Sequence, residues 1–147
     1  MKVRNSQPVP YQMAARILLP VARALEYTHH QNIIHCNVNA TNILLTDDCQ
    51  PVLADFGEAK NLGLEEGNSF AMPGYGTEVP TPMEYEQGMP QISPQTDIYA
   101  LGIVFYELLT GHLPFDASTS DAVMQKQKTG SLQSPKYLVP DLADEVE

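Results

Sequence analysis

The feature that most constrains the fold is residues 97–109, Asp-Ile-Tyr-Ala-Leu-Gly-Ile-Val-Phe-Tyr-Glu-Leu-Leu, which would make a helix hydrophobic on nearly every side. Such a helix lies either in a protein core or in a membrane. Its uninterrupted apolar run, residues 98–106, has nine residues, whereas roughly 20 are needed to cross a bilayer. We therefore expect the central helix of a core, capped by Thr96 or Asp97 and ended by Gly111.

Two further patterns predict the elements around this helix. Residues 11 to about 31 carry apolar side chains at spacings of three and four, which is typical of an amphipathic helix, with a kink expected at Pro20. Short apolar runs at 43–45 and 52–54 flank a polar turn and predict a β-hairpin. A short helix at about 118–128 and a proline-punctuated tail follow. The predicted fold is mainly α with one or two short β-hairpins.

Two polar motifs lie beside the predicted hairpin. Residues 35–42 read His-Cys-Asn-Val-Asn-Ala-Thr-Asn, and Asp55-Phe56-Gly57 follows the second apolar run. The amide of Asn42 and the carboxylate of Asp55 are hard oxygen ligands of the kind that Mg²⁺ accepts while it bridges nucleotide phosphates. Taken alone, a turn Asp and an Asn that caps a strand are the alternative interpretation.

Together the motifs resemble the eukaryotic-type serine/threonine protein kinase family, which has His-Arg-Asp-Leu-Lys-x-x-Asn in the first and Asp-Phe-Gly in the second. The resemblance extends from residue 11 to residue 115. It implies a kinase C-terminal lobe with a long helix, catalytic loop, activation segment, central helix and one further short helix. No glycine precedes Gly57, so no glycine-rich phosphate loop does either. We expect residues 1–147 to be a partial kinase domain, incomplete at both ends and without the N-terminal lobe.

Three reacting positions differ from the family pattern. Cys36 stands at the position of Arg, Asn37 at that of the catalytic Asp, and Asn39 at that of the Lys. A neutral amide is too weak a base to take a hydroxyl proton, and loss of a general base costs on the order of 10² to 10⁴ in rate. Loss of the Lys removes a cation that would offset phosphoryl charge, and a thiol cannot grip an activation-loop phosphate as a guanidinium can.

The resemblance also implies roles for residues outside the reacting centre. Leu44 would form the floor beneath the adenine ring, Phe56 would pack on His35, and Asp97 would hydrogen-bond the catalytic-loop backbone. Glu86 would be the buried glutamate that ends the activation segment, residues 58–86. For His35 the implied role is structural, and as an alternative to any function a buried Leu, Phe or His is an ordinary core residue.

Composition restricts the partners. With 18 acidic and 8 basic residues the formal net charge is −10, which argues against nucleic acid or an anionic membrane as a partner and against easy binding of ATP. Two cysteines are too few for a disulfide scaffold. No signal peptide is recognisable, and we expect a cytoplasmic protein. A divided kinase domain would expose apolar surface, so the expected partner is a protein or the missing kinase lobe.

Three functional hypotheses follow. The first is a pseudokinase-like module or remnant of a longer chain, catalytically inactive, with at most weak Mg²⁺-nucleotide binding and a binding or regulatory role or none. The second is an ATP-dependent serine/threonine protein kinase activity that appears when a missing N-terminal lobe completes the site. The third, an unrelated helical protein, is disfavoured by agreement over residues 11–115. The first two differ at Asn37, the substituted base.

Overall fold

The computed structural model describes residues 7–63, 92–115, 120–129 and 132–143. The elements in chain order are α1 (Tyr11–His30), β1 (Ile33–Ile34), β2 (Ile43–Leu45), β3 (Pro51–Leu53), a 3-10 turn (Phe56–Glu58), β4 (Lys60–Asn61), α2 (Pro94–Thr110), α3 (Ser120–Thr129) and α4 (Pro135–Leu138). The prediction of a mainly α fold with short antiparallel strand pairs is confirmed.

Helix α1 is amphipathic, as its apolar spacing predicts. Its buried residues are Ala14, Leu18, Val21 and Leu25. Pro20 lies inside the helix and does not end it, because α1 continues to His30. The N-terminal end is tied to the rest of the fold, since the backbone N–H of Val9 donates to the carbonyl of Leu108 over 2.7 Å.

Helix α2 begins earlier than the sequence patterns predict. Its N-cap is Ser93 rather than Thr96 or Asp97, and Pro94 occupies the first turn, where a missing N–H removes no helical hydrogen bond. Gly111 ends the helix as predicted, with φ of 76°, a conformation that glycine adopts without strain. The expectation of burial on all sides holds only partly, because Ile98 is 54% exposed.

The core lies between α1, α2 and the β2–β3 hairpin. Burial of these side chains is the main stabilising contribution, at roughly 25 cal/mol per Å² of apolar surface removed from water. The buried cluster comprises Ala14, Leu18, Val21, Leu25, Val38, Ala40, Ile43, Leu53, Val104, Leu108, Leu109 and Leu142. Residues 35–42 therefore run along the core, and two of their apolar side chains, Val38 and Ala40, are part of it.

Two strand pairs flank the loop. In the β2–β3 hairpin, Ile43 pairs with Leu53, Leu44 with Val52 and Leu45 with Pro51, so the second strand lies one residue earlier than predicted. A proline is accepted as the first residue of such a strand. The other pair joins β1 and β4 in an antiparallel bridge that the sequence patterns did not predict, because the two segments are distant in the chain.

The C-terminal helices differ in detail from the prediction. Helix α3 spans Ser120–Thr129, and its predicted start near residue 118 lies outside the described residues. Helix α4 was not predicted, and it forms because Ser134 accepts a hydrogen bond from the backbone N–H of Lys136 and Pro135 opens the helix. Among the described helices, none combines the length and the apolar character that a bilayer crossing requires.

Candidate functional site

The anchor of the site is Asp97, in the first turn of α2 and fully buried. Its Oδ2 accepts hydrogen bonds from the backbone N–H of His35 at 2.8 Å and from Nε2 of His29 at 2.7 Å, and its Oδ1 accepts from the backbone N–H of Cys36 at 2.9 Å. A helix N-terminus favours a negative charge. Helix α2 thereby holds the start of residues 35–42, the contact that the resemblance predicts for Asp97.

His29 is the part of this anchor that sequence reasoning missed. It lies in the last turn of α1, and its ring is 68 positions away from Asp97 along the chain. The apolar spacing of α1 carries no signal for this contact, since the contact depends on how α1 packs against α2.

His35 connects residues 35–42 to the Asp-Phe-Gly motif. Its Nε2–H donates to the carbonyl of Ala54 at 3.1 Å, and its Nδ1 accepts from the backbone N–H of Asn37 at 3.2 Å. Burial lowers the pKa of His35 below its ordinary value, against the opposing effects of the Ala54 carbonyl, Asp97 and Asp55. The ring is therefore neutral, with both nitrogens hydrogen-bonded, and it holds the loop in place.

Phe56 contacts the His35 ring. The two ring centroids are 4.4 Å apart and the planes meet at 64°, an edge-to-face contact. The contact is the one that the resemblance predicts for these two positions. Through it and the Ala54 bond, the segment after β3 and the loop after β1 form one packed unit.

Cys36 occupies a backbone conformation that is unusual for a cysteine, with φ of 62°. Its Sγ lies 3.6 Å from the carbonyl oxygen of Ile34. Burial raises the pKa of the Cys36 thiol to about 11, and the nearby Asp97 carboxylate adds to the effect. At neutral pH the side chain is an uncharged thiol, so this position supplies neither a nucleophilic thiolate nor a cation for a phosphate.

Asn37, at the position of the catalytic base, is tied to its neighbours. Its side-chain Oδ1 accepts a hydrogen bond from Nδ2 of Asn39 at 2.9 Å. Its backbone carbonyl accepts from Nδ2 of Asn39 at 3.1 Å and from Nδ2 of Asn42 at 2.9 Å. The two substituted positions are thus in direct contact with each other, and each presents a neutral amide where the family has an ion.

The same hydrogen bonds bear on the two predicted metal ligands, Asn42 and Asp55. Because Nδ2 of Asn42 is bound to the Asn37 carbonyl, the amide is oriented, and its Oδ1 makes no hydrogen bond within the part of the chain that the structure describes. Asp55 has φ of 65° and an exposed carboxylate, of which Oδ1 accepts from the backbone N–H of Gly57 at 3.3 Å. One amide oxygen and one carboxylate are donors that suit Mg²⁺.

Further ligands for such an ion would have to come from elsewhere. No cluster of three or more His, Cys, Asp or Glu side chains that could hold a metal occurs among the described residues. Asn42 and Asp55 lie near each other, since the N–H of Ala54 donates to the Asn42 carbonyl at 2.8 Å. Water and nucleotide phosphates complete the shell of Mg²⁺ in sites of this type.

Leu44 lies on the outer face of the β2–β3 hairpin. It is paired with Val52, and Val52 is 47% exposed, whereas the next pair, Ile43 and Leu53, faces the core. The outer face is therefore apolar and partly exposed, and the role of Leu44 as the adenine floor stays a prediction. Glu86 and most of the predicted activation segment lie outside the described residues, so their predicted roles stay predictions.

Comparison with known proteins agrees with this geometry. The family model described as "Protein kinase domain" matches residues 2–145. The carbon catabolite-derepressing protein kinase of Candida tropicalis is 31% identical over 132 residues, covering 90% of this chain and 21% of that protein. Serine/threonine-protein kinase PLK4 of Danio rerio is 30% identical over 144 residues, covering 95% of this chain and 15% of the relative.

A plant receptor is similar as well. Protein STRUBBELIG-RECEPTOR FAMILY 5 of Arabidopsis thaliana is 35% identical over 117 residues, which is 76% of this chain and 15% of the receptor. The chain therefore spans about a fifth or less of the length of these relatives.

Proposed function

Because this chain belongs to the eukaryotic-type serine/threonine protein kinase family, we propose that it is a kinase-like large-lobe unit that binds or regulates rather than phosphorylates. The observation that carries the proposal is the 2.9 Å hydrogen bond from Nδ2 of Asn39 to Oδ1 of Asn37. Where the family has a carboxylate base and a cation, this chain has two neutral amides that satisfy each other. Neither group can take a proton from a substrate hydroxyl or offset phosphoryl charge.

Nucleotide binding, in this proposal, is weak. Protein kinases use ATP and Mg²⁺, and Asn42 and Asp55 are suited to hold the ion while Leu44 offers an apolar surface to the base. Two protein oxygens alone make a weak Mg²⁺ site. The net charge of −10 adds repulsion toward a polyphosphate.

The partner proposed is a protein, either a kinase N-terminal lobe or another binding protein. Support comes from the exposed apolar side chains next to the site, Val52 at 47% and Phe56 at 42% exposure, which a covering surface would bury. Nucleic acid and membrane are not proposed as partners, because the acidic charge opposes both. The proposed location is the cytoplasm, consistent with Cys36 and Cys49 as free thiols.

A second candidate function is phosphoryl transfer in a completed kinase. The preserved anchor favours it, because Asp97, His35 and Asn42 hold the loop through a connected set of hydrogen bonds. A loop without any use would be free to lose these contacts. In that case an N-terminal lobe would supply the remaining phosphate contacts, and the chain would transfer phosphate although it has Asn37 in place of the base.

The first experiment measures nucleotide binding by the full chain. We expect millimolar ATP with Mg²⁺ to raise the melting temperature by a small amount or not at all, because a ligand stabilises by RT ln(1 + [L]/Kd). Any shift should disappear in Asn42→Ala and in Asp55→Ala, and remain in Asp47→Ala, a carboxylate of the exposed hairpin turn. A large shift at micromolar nucleotide would contradict weak binding.

The second experiment separates the two candidate functions. A kinase N-terminal lobe is supplied in trans, and transfer of labelled γ-phosphate to a serine/threonine substrate is measured for the unmodified chain and for Asn37→Asp. The proposal expects no transfer above background from the unmodified chain and transfer at least about 10²-fold above background from Asn37→Asp. Brisk turnover by the unmodified chain, with or without the added lobe, would overturn the proposal in favour of the enzyme.

A further inference from the structure

The side chain of Asn39 makes five hydrogen bonds within residues 37–42. Its Oδ1 accepts from the backbone N–H of Thr41 at 2.9 Å, from Oγ1 of Thr41 at 2.6 Å and from the backbone N–H of Asn42 at 3.1 Å. Its Nδ2 donates to the carbonyl of Asn37 at 3.1 Å and to Oδ1 of Asn37 at 2.9 Å. The residue is 5% exposed. A carboxamide with two donors and one acceptor oxygen is fully used in this arrangement.

We propose that Asn39 is a positioning residue. Its buried, neutral carboxamide holds both the side chain of residue 37 and the backbone of Asn42 in place. The inference rests on the proposed function for the assignment of position 37 and Asn42 to the site. It goes beyond that assignment because it gives Asn39 the role of organising the loop. The proposed function by itself notes only that the cation of the family is missing at this position.

The donor and acceptor halves of the Asn39 amide act on different neighbours. The acceptor Oδ1 binds the two backbone amides that lead to Asn42, so it fixes the turn from which Asn42 presents its own Oδ1. The donor Nδ2 binds position 37 alone. A lysine ammonium has three donors and no acceptor, so it could serve position 37 but would leave the amide of Thr41 without its partner and that of Asn42 with only the backbone carbonyl of residue 39, at 3.1 Å.

One consequence concerns position 37. The donor is already aimed at Oδ1 of this side chain, so a carboxylate introduced there would meet an N–H group at hydrogen-bond distance. Hydrogen bonding to the charged form of a carboxyl lowers its pKa. Position 37 therefore accepts an acid without rebuilding the loop, and Asn39 would keep that acid ionised.

The direct test is an NMR titration of the carboxyl group in Asn37→Asp, in the full chain without nucleotide. We expect its pKa to lie about one unit below the ordinary value of about 3.9. In Asn37→Asp combined with Asn39→Ala the pKa should return to the ordinary value or above it. An equal pKa in the two variants would overturn the inference, because a role confined to general stability would not move this titration selectively.

A second measurement does not depend on whether Asn39→Ala folds. In the unmodified chain, the backbone amides of Thr41 and Asn42 should exchange with deuterium at least tenfold more slowly than unstructured amides do. Asn39→Asp keeps an acceptor oxygen and should retain this protection. The matched control is Asn61→Ala, which removes an amide whose Oδ1 accepts only from the N–H of Gly63 among the described residues, and it should leave Thr41 and Asn42 unchanged. Unprotected Thr41 and Asn42 amides in the unmodified chain would contradict the inference.

The two proposals fail in different ways. If the chain transfers phosphate as it stands, the proposed function is wrong while the pKa difference and the exchange pattern remain. If the two variants have the same pKa and the unmodified chain transfers no phosphate, the proposed function stands and Asn39 has only a general structural role in the loop.

Discussion

Two short loops of this protein place a cysteine in the same backbone conformation by different means. In residues 35–42 Cys36 has φ of 62°, and in the hairpin turn at 46–50 Cys49 has φ of 58°. The amide of Cys36 is bound by the carboxylate of Asp97, which is 61 positions away in the chain. Cys49 is exposed, and its amide is bound by the carbonyl of Thr46 within the same turn.

The difference shows where each conformation is determined. The turn closes through its own residues, since Thr46 and Gln50 also exchange backbone and side-chain hydrogen bonds. The conformation at Cys36 is instead held by the buried carboxylate of Asp97 in another element, where each bond lost leaves an unsatisfied group. Strained backbone persists where the surroundings over-determine it, so changes in the loop should cost far more than changes in the turn.

The largest expected effect is that of Asp97→Ala. It leaves the amides of His35 and Cys36 and the ring of His29 without their common acceptor. We expect the free energy of unfolding, from urea denaturation, to fall by about 3–5 kcal/mol. Asp47→Ala in the turn should change it by less than about 0.5 kcal/mol. A similar loss of unfolding free energy in the two variants would contradict the expectation that changes in the loop cost more than changes in the turn.

Asn39→Lys, which introduces the family residue, should destabilise the loop. The ammonium cannot accept the three hydrogen bonds that Oδ1 of Asn39 accepts, and half-buried donors that lose an acceptor are costly. A loss of about 2 kcal/mol or more in the free energy of unfolding is expected. Asn37→Asp, the other return to a family residue, should stay within about 1 kcal/mol of the unmodified chain. A stable Asn39→Lys variant would show that the loop adapts.

The two thiols should differ in alkylation. The pKa of Cys36 is raised by burial from 9.0 to about 11, and two pH units correspond to about 100-fold less thiolate. Iodoacetamide should therefore label Cys36 about 100-fold more slowly in the folded chain than in urea, measured at pH 7.5 in Cys49→Ser. Cys49, alone in Cys36→Ser, is exposed and should show little such protection. Rapid labelling of folded Cys36 would contradict the raised pKa of this half-buried thiol.

Acid should weaken the loop through His35. Its pKa in the folded chain lies below the ordinary 6.5, so the unfolded chain binds more protons between these two values, and stability falls as pH drops below about 6.5. The groups facing His35 are Asp97, Asp55 and, through Asp97, His29. Urea denaturation at pH 7.5 and pH 5 should show a shallower decline in His35→Gln than in the unmodified chain. An unchanged pH slope would exclude His35 as the cause.

The smallest effect is expected in the turn. Asn tolerates positive φ better than Cys does, because its side chain hydrogen-bonds locally. Cys49→Asn should stabilise the chain by about 0.5 kcal/mol, while Cys36→Asn at nearly the same φ should destabilise it, because a larger amide would enter a half-buried position beside Asp97. Thermal unfolding of both variants tests this, and a gain at Cys36 would mean that backbone strain outweighs burial there.

Several predictions from local pattern hold in the structure. The spacing of Ala14, Leu18, Val21 and Leu25 places the buried face of α1 correctly, and Gly111 ends α2 as predicted. The family membership, too, is readable from residues 35–42 and Asp55-Phe56-Gly57. The apolar pattern predicts the N-terminus of α2 too late, because the helix begins at the polar signal of Ser93 and Pro94, before the apolar run starts.

What the sequence determined on its own is the chemistry available to this protein: an amide for a base at position 37, a thiol for a guanidinium at 36, and an amide and a carboxylate at 42 and 55. The tertiary structure alone decided that His29 joins Asp97, that β1 pairs with β4, and that Asn39 binds positions 37, 41 and 42. Residue types are local facts, whereas a hydrogen bond between elements depends on packing that brings distant segments within about 3 Å.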